Sequence, residues 1–257
     1  MKNTLTIASK EIKSYFISPI AYVVTTVFLI LVGYMFYSRL TGFSIHCFKM
    51  MGMKDAAEGL NVNASVFQSH FKNMSTMIMF IMPILTMRVF AEERKNRTME
   101  LLMTSPIAVS EIVLGKFFAS FSLFVIMCAL TLYMPLFTAT YTPNLDWGPI
   151  LTSYLGVLLL GSVFISIGIF ASSLTENQIV AALISFAIII IFLVVEILAG
   201  MSEGQAAAIL RDMSLVTHLA NFFKGVITTK DIVYFLSFSA FALFMTFRVI
   251  ESKRWKQ

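Results

Sequence analysis

A chain of 257 residues that is 58% hydrophobic and 13% charged, with a mean hydropathy of +0.84, lies outside the composition of soluble domains. Six apolar stretches take up about half of it, which leaves no room for a separate soluble catalytic domain. The net charge of +5 comes from lysines and arginines gathered at the ends of those stretches, so it calls for no nucleic-acid partner.

In residues 1–18, Leu5, Ala8, Ile12 and Tyr15–Phe16 recur at helical spacing, with Lys2, Ser9, Lys10, Lys13 and Ser14 on the other side. This pattern predicts an N-terminal interfacial amphipathic helix, its apolar face down and its lysines toward anionic lipid headgroups. The break at Ser18–Pro19 ends it. Nothing here has the short charged start and apolar run of a cleavable signal, so the first apolar stretch is expected to stay as an anchor.

The apolar stretches cover residues 20–37, 74–90, 117–137, 150–171, 179–199 and 232–247. Each is close to the ~20 residues that cross a ~30 Å hydrocarbon layer as a helix. Backbone polar groups find no partner in hydrocarbon, so these segments must be helical. The predicted fold class is therefore all-α: a polytopic membrane protein with six transmembrane helices forming a single domain over residues 1–257. Placing both termini in the cytoplasm puts twelve of the 19 lysines and arginines inside, over a shorter total loop length, which sets the orientation. The connection over residues 38–73 then lies outside and carries no readable motif.

Pro83 and Pro135 each remove a helix hydrogen bond and are expected to kink the second and third spans. Gly156, Gly161, Ser162, Ser166 and Gly168 give the fourth span a small-residue surface suited to close helix approach, within the subunit or at a dimer seam. Glu196 is the ionisable residue well inside a span; counted at ~1.5 Å per residue from Ile179 it falls near the outer boundary. There it is either hydrated or paired at the interface, or a candidate lining residue of a transport path. Residues 200–230 are apolar enough to lie against the membrane, and Gly225 is placed to end a helix within them.

The densest charge cluster is AEERKNRTMELLMTSP, residues 91–106, between the second and third spans. As a helix it pairs Glu93 with Arg97 and Arg97 with Glu100, and Thr104–Ser105–Pro106 stops it, with Pro106 opening the next helix. A turn between two helices needs only a few residues, so this long, ordered connection points to docking. Gly115–Lys116 is followed by Phe117 and lacks the upstream glycines of a phosphate-binding loop, so the chain is not expected to hydrolyse ATP itself. His46, Cys47 and His70 lack ligand-like spacing, so no metal is expected, and no cofactor is expected in this chain.

The run MPILTMRVFAEERKNRTMELLMTSPIAVSEIVLGK (82–116) resembles the permease subunits of ABC-2 type ATP-binding-cassette transporters, most closely the gliding-motility-type permeases. ASSLTENQIVAA (171–182) agrees, as do His218, Gly225–Val226–Ile227, Asp231, Tyr234 and ESKRW (251–255) at family-like spacing. The family commonly has glycine where this chain has Arg97. With arginine there a left-handed turn is not expected, and the charged helix is predicted to run on through Thr98.

The resemblance implies a cytoplasmic coupling helix after the second span, seated on an ATPase subunit, with Glu92, Glu93, Arg94, Thr98, Glu100 and Leu101 as contacts. It also implies short outer-leaflet helices before the sixth span. Two ABC ATPase subunits binding ATP and Mg, a second permease subunit (identical or related) and a membrane protein with an extracytoplasmic domain are the implied partners, beside the lipid bilayer. The implied setting is a bacterial cytoplasmic membrane, and the implied function an ATP-driven exporter. Two other readings stand beside it: mechanotransmission to an extracytoplasmic partner without transport, and an ATP-independent channel or secondary transporter. The last usually shows paired midplane charges or inverted repeats, which this sequence lacks.

Overall fold

A computed structural model describes residues 2–50, 61–100, 107–142 and 145–254. Among them the chain is helical, with no strand. In chain order the helices are α1 (Lys2–Ile17), α2 (Pro19–Met50), a π-helical turn (Asn63–Phe67) running into α3 (Gln68–Thr86), α4 (Ala91–Lys95), α5 (Val109–Leu130), α6 (Tyr133–Tyr141), α7 (Trp147–Leu174), α8 (Gln178–Met201), α9 (Gly204–Met213), α10 (Leu215–Phe223) and α11 (Thr229–Arg254). Six helical stretches are long and apolar enough to span a membrane: Pro19–Lys49, Asn63–Lys95, Val109–Tyr141, Trp147–Leu174, Gln178–Met201 and Thr229–Ser252. Each contains one predicted segment and extends past it, and the chain is an integral membrane protein. Six alternating spans bring both termini to one end, called here the terminal end; the other is the far end.

The described residues of the predicted loop over 38–73 are largely helical. Residues 38–50 continue α2 and residues 62–73 form the π-helical turn and the start of α3. Helical hydrogen bonding satisfies the backbone in water as in lipid, so a span does not have to stop where its apolar run stops.

α7 is the central helix, and its small residues explain why. A side chain on Gly156 would meet Phe222 of α10 at 2.7 Å; Gly161 is covered by Phe124 of α5 and Gly168 by Thr86 of α3. Each missing Cβ lets a neighbour close in, so the small-residue surface serves packing within the subunit. Ser162 Oγ adds a 3.0 Å hydrogen bond to Ser239 Oγ of α11.

Both prolines mark real breaks. Pro83 sits in the last turn of α3, which ends at Thr86. In an unbroken third span the Pro135 ring would strike the Thr131 carbonyl. The chain breaks at Thr131–Leu132 instead, and the Thr131 hydroxyl, 3.0 Å from Tyr154 Oη, donates to the Cys128 carbonyl at 2.7 Å.

α1 divides its apolar residues between two surroundings. Ala8 and Tyr15 are buried against α5, where Gly115 leaves space for Ile7; a Cβ on Gly115 would lie 2.8 Å from Ile7 Cγ2. Leu5, Phe16 and Ile17 remain exposed.

Candidate functional site: the connection after the second span

At the terminal end, α3 gives way to a turn over residues 87–90 and then to the short helix α4. A single serine at the end of α7 organises this change of direction. Ser172 Oγ accepts from Phe90 N (2.9 Å) and Ala91 N (3.0 Å) and donates to the Met87 carbonyl (3.0 Å). It thereby satisfies backbone groups that the helix break leaves open. Arg94 extends the same attachment, donating to the Ser173 carbonyl at 3.0 Å and to Glu176 at 3.4 Å in the turn between α7 and α8.

On its other side the connection is held by a buried cation. Lys116 of α5 is 2% exposed, and its Nζ donates to Glu93 Oε1 (2.7 Å), Glu11 Oε1 (2.9 Å) and the Val89 carbonyl (3.0 Å). It also lies 5.2 Å from the centre of the Phe90 ring. An ammonium has three donors, and all three find acceptors. A buried charge is tolerated when its partners are this complete, and losing one partner is then costly. Because Glu11 belongs to α1, Glu93 to α4 and Lys116 to α5, the triad ties the N-terminal helix to the connection and the third span. Nearby, Arg88 donates to Ser18 Oγ at 2.8 Å and its guanidinium lies over the Tyr15 ring. Tyr15 Oη is 2.9 Å from Ser120 Oγ, and burial raises the phenol above its ordinary pKa, so it stays neutral.

These contacts sort the predicted docking residues. Glu93 and Arg94 face inward, onto Lys116 and the α7–α8 turn. Glu92, Thr98 and Glu100 are exposed. Leu101 lies outside the described residues, as do Thr104–Pro106. Glu93 therefore pairs with Lys116 and not with Arg97. A polar cleft of about 660 Å³ opens between α1 and the connection, bordered by Lys10, Ser14, Glu92, Asn96 and Thr98.

The expected run of the charged helix through Thr98 is not observed. α4 ends at Lys95, and Arg97 takes a left-handed conformation, φ +57°. Arg97 N donates to the Arg94 carbonyl (3.1 Å) and Thr98 Oγ1 to the Glu93 carbonyl (3.2 Å). Those bonds satisfy the last carbonyls of α4 and offset the strain of an L-residue there. Helical backbone resumes at Thr98. Likewise α5 starts at Val109 with Ala108 as its N-cap, so Pro106 does not occupy its first position. Glu111 reaches back to Ala108 N at 3.4 Å and accepts from Asn3 of α1 at 3.0 Å.

Lys116 and Glu11 were not singled out from the sequence. Lys116 reads there as one more positive charge at a span boundary. Glu11 carried the better signal, since it shares a helix face with Ile7, Ala8 and Tyr15, three and four residues apart.

At the far end the structure gathers the residues noted for their spacing near the C-terminus. His218 Nδ1 lies 2.5 Å from Asp231 Oδ1 and His218 Nε2 lies 3.0 Å from the Asp212 carbonyl. Asn221 donates to Asp231 Oδ2 at 2.9 Å, and Tyr234 stacks on the imidazole at 4.2 Å while donating to the Met213 carbonyl at 2.7 Å. Gly225, φ +84°, ends α10 as the sequence suggests. Its N–H donates to the Phe222 carbonyl and that of Val226 to the Asn221 carbonyl.

Six membrane-spanning helices with a braced, partly outward-facing charged connection after the second make this a polytopic membrane protein. The chain belongs to the ABC-2 transporter family, since the family model described as ABC-2 family transporter protein matches residues 5–247. It is thus a membrane permease component of an ABC transporter. A search of curated proteins gave no match.

Proposed function

We propose that this chain is the membrane-spanning subunit of an ATP-driven exporter, coupled to separate ATPase subunits through residues 91–104. The observation that carries the reading is the split within the connection. Glu93 and Arg94 are fastened to α1, α5 and the α7–α8 turn, while Glu92, Thr98 and Glu100 point outward. A segment so braced transmits a push on its outer face to several spans at once.

In this reading the terminal end is cytoplasmic, in a bacterial inner membrane, and Glu92, Thr98, Glu100 and Leu101 meet the ATPase. Two such ATPases bind ATP and Mg, and a second permease completes the pore. Exposed apolar side chains on α2, α8 and α11, among them Ile30, Tyr34, Ile191, Ile197 and Phe241, supply surface for that partner and for lipid. The subtype closest to this reading is the gliding-motility type, whose further membrane partner would sit over the far end. In the same reading Glu196 lines the exit path.

The test is co-expression with the ATPase encoded nearest to it and purification through a tag on the permease. The expected outcome is a co-eluting ATPase whose activity responds to the permease. A well-folded permease that retains none of the candidate ATPases would contradict the proposal.

A further inference from the structure

Between α3, α7, α8 and α10, toward the far end, lies a half-enclosed cavity of about 190 Å³. It is larger than the roughly 150 Å³ apolar cavity that takes up a benzene ring. Met79, Phe164, Ile189 and Leu193 make its body apolar. Two groups at its border are charged: Lys72, in the second turn of α3, and Glu196, near the end of α8. Among the described residues neither side chain has an ion-pair partner, and they do not pair with each other within 4.0 Å. The nearby hydroxyls are engaged with their own helix, Ser75 donating to the Phe71 carbonyl and Thr76 to the Lys72 carbonyl.

An apolar slot bordered by a cation and an anion that feel each other's charge without touching matches a molecule that is apolar at one end and zwitterionic at the other. We infer that this cavity binds a phospholipid with a primary-amine headgroup, drawn from the leaflet at the far end. A segment of one acyl chain enters the slot, the phosphate meets Lys72 and the ammonium meets Glu196.

The charges select among lipids. A phosphatidylglycerol headgroup offers Lys72 its phosphate but leaves Glu196 facing a net anion. A choline headgroup has a cation with no N–H to donate, whereas an ethanolamine ammonium donates to the carboxylate in a charge-assisted hydrogen bond. The lipid's place on a transport path rests on the export reading above; its binding rests on the cavity alone.

The experiment therefore uses the full-length permease without ATPase or nucleotide. The purified chain is equilibrated in mixed micelles with equal amounts of phosphatidylethanolamine, phosphatidylcholine and phosphatidylglycerol, and retained lipid is identified by native mass spectrometry. Selective retention of phosphatidylethanolamine is expected. Lys72→Gln and Glu196→Gln should each lower that retention roughly tenfold, as loss of a charge-assisted contact implies. Leu193→Trp, which fills the slot, should lower retention of all three lipids. Equal retention of the three by the unaltered chain would overturn the inference, as would a preference for phosphatidylglycerol. So would a phosphatidylethanolamine preference that survives both glutamine variants, which lie at exposed and half-exposed positions where folding is not at stake. None of these results bears on whether an ATPase co-elutes, so the two proposals fail separately.

Discussion

The two ends of this bundle are both pinned by buried charge, but the two clusters are built differently. At the terminal end one cation, Lys116, binds two carboxylates from two other helices, so three elements separated by up to 105 residues share one charge centre. At the far end the His218–Asp231 pair joins groups 13 residues apart and holds α10 against the start of α11. The first arrangement connects distant parts and leaves charged groups turned outward. The second closes a local hairpin on itself. Long-range bracing with a free outer face suits a place where force enters; local closure suits a cap.

Removing the centre of each cluster should separate them. Lys116→Met leaves Glu11 and Glu93 without their cation and should cost about 3 kcal/mol, the low end for breaking a buried ion pair because both glutamate side chains are partly exposed. Thermal unfolding in detergent measures the loss, and hydrogen exchange should place it at α1, α4 and the start of α5. His218→Ala removes the partner of Asp231 Oδ1, leaving Asn221 on Oδ2, and should cost about 2 kcal/mol. Its exchange signature should be confined to α9, α10 and the first turns of α11. Identical exchange patterns for the two variants would dissolve the distinction between the ends.

A smaller contrast concerns one backbone device built twice. Arg97 and Gly225 both stop a helix in the left-handed region, one with a side chain and one without. The strain for an L-residue there is about 1 kcal/mol. Arg97→Gly should therefore raise stability and Gly225→Ala lower it, the latter further because Pro149 lies 3.1 Å from the new Cβ. Equal signs for the two would show that the turn at Arg97 is held by something other than backbone geometry.

The smallest effect expected is at the exposed surface of the far end. The Lys230 ammonium donates to Asp212 and holds its carboxyl below the ordinary range. A depressed carboxylate adds stability above its unfolded pKa and loses it as pH falls through the folded one. The difference in melting temperature between the unaltered chain and Asp212→Asn should then be small near neutrality and vanish in acid. A difference that grows on acidification would have the wrong sign.

The sequence reading and the structure part company in an orderly way. The spans were legible because lipid permits only helices, so hydropathy alone located them. Gly225 was legible because a helix end at glycine is a local signal. Arg97 was misread because the compensating bonds, from Arg97 N and the Thr98 hydroxyl, are invisible to a rule about residue type. The Lys116 triad was missed for a different reason: it is assembled from three helices, and neither Glu11 nor Lys116 stands beside its partner in the chain. Charge density singled out residues 91–106, yet it could not tell Glu93 and Arg94, which brace the segment, from Glu92, Thr98 and Glu100, which are exposed.

That last division is the core of the account, and one measurement addresses it directly. In a complex purified through a tag on the permease, the ATPase activity recovered with Glu100→Arg is compared with that of the unaltered chain, alongside the melting temperature of each permease. The account predicts lost ATPase at an unchanged melting temperature, since Glu100 is exposed and outside the bracing cluster. Full recovery of activity with Glu100→Arg would contradict it.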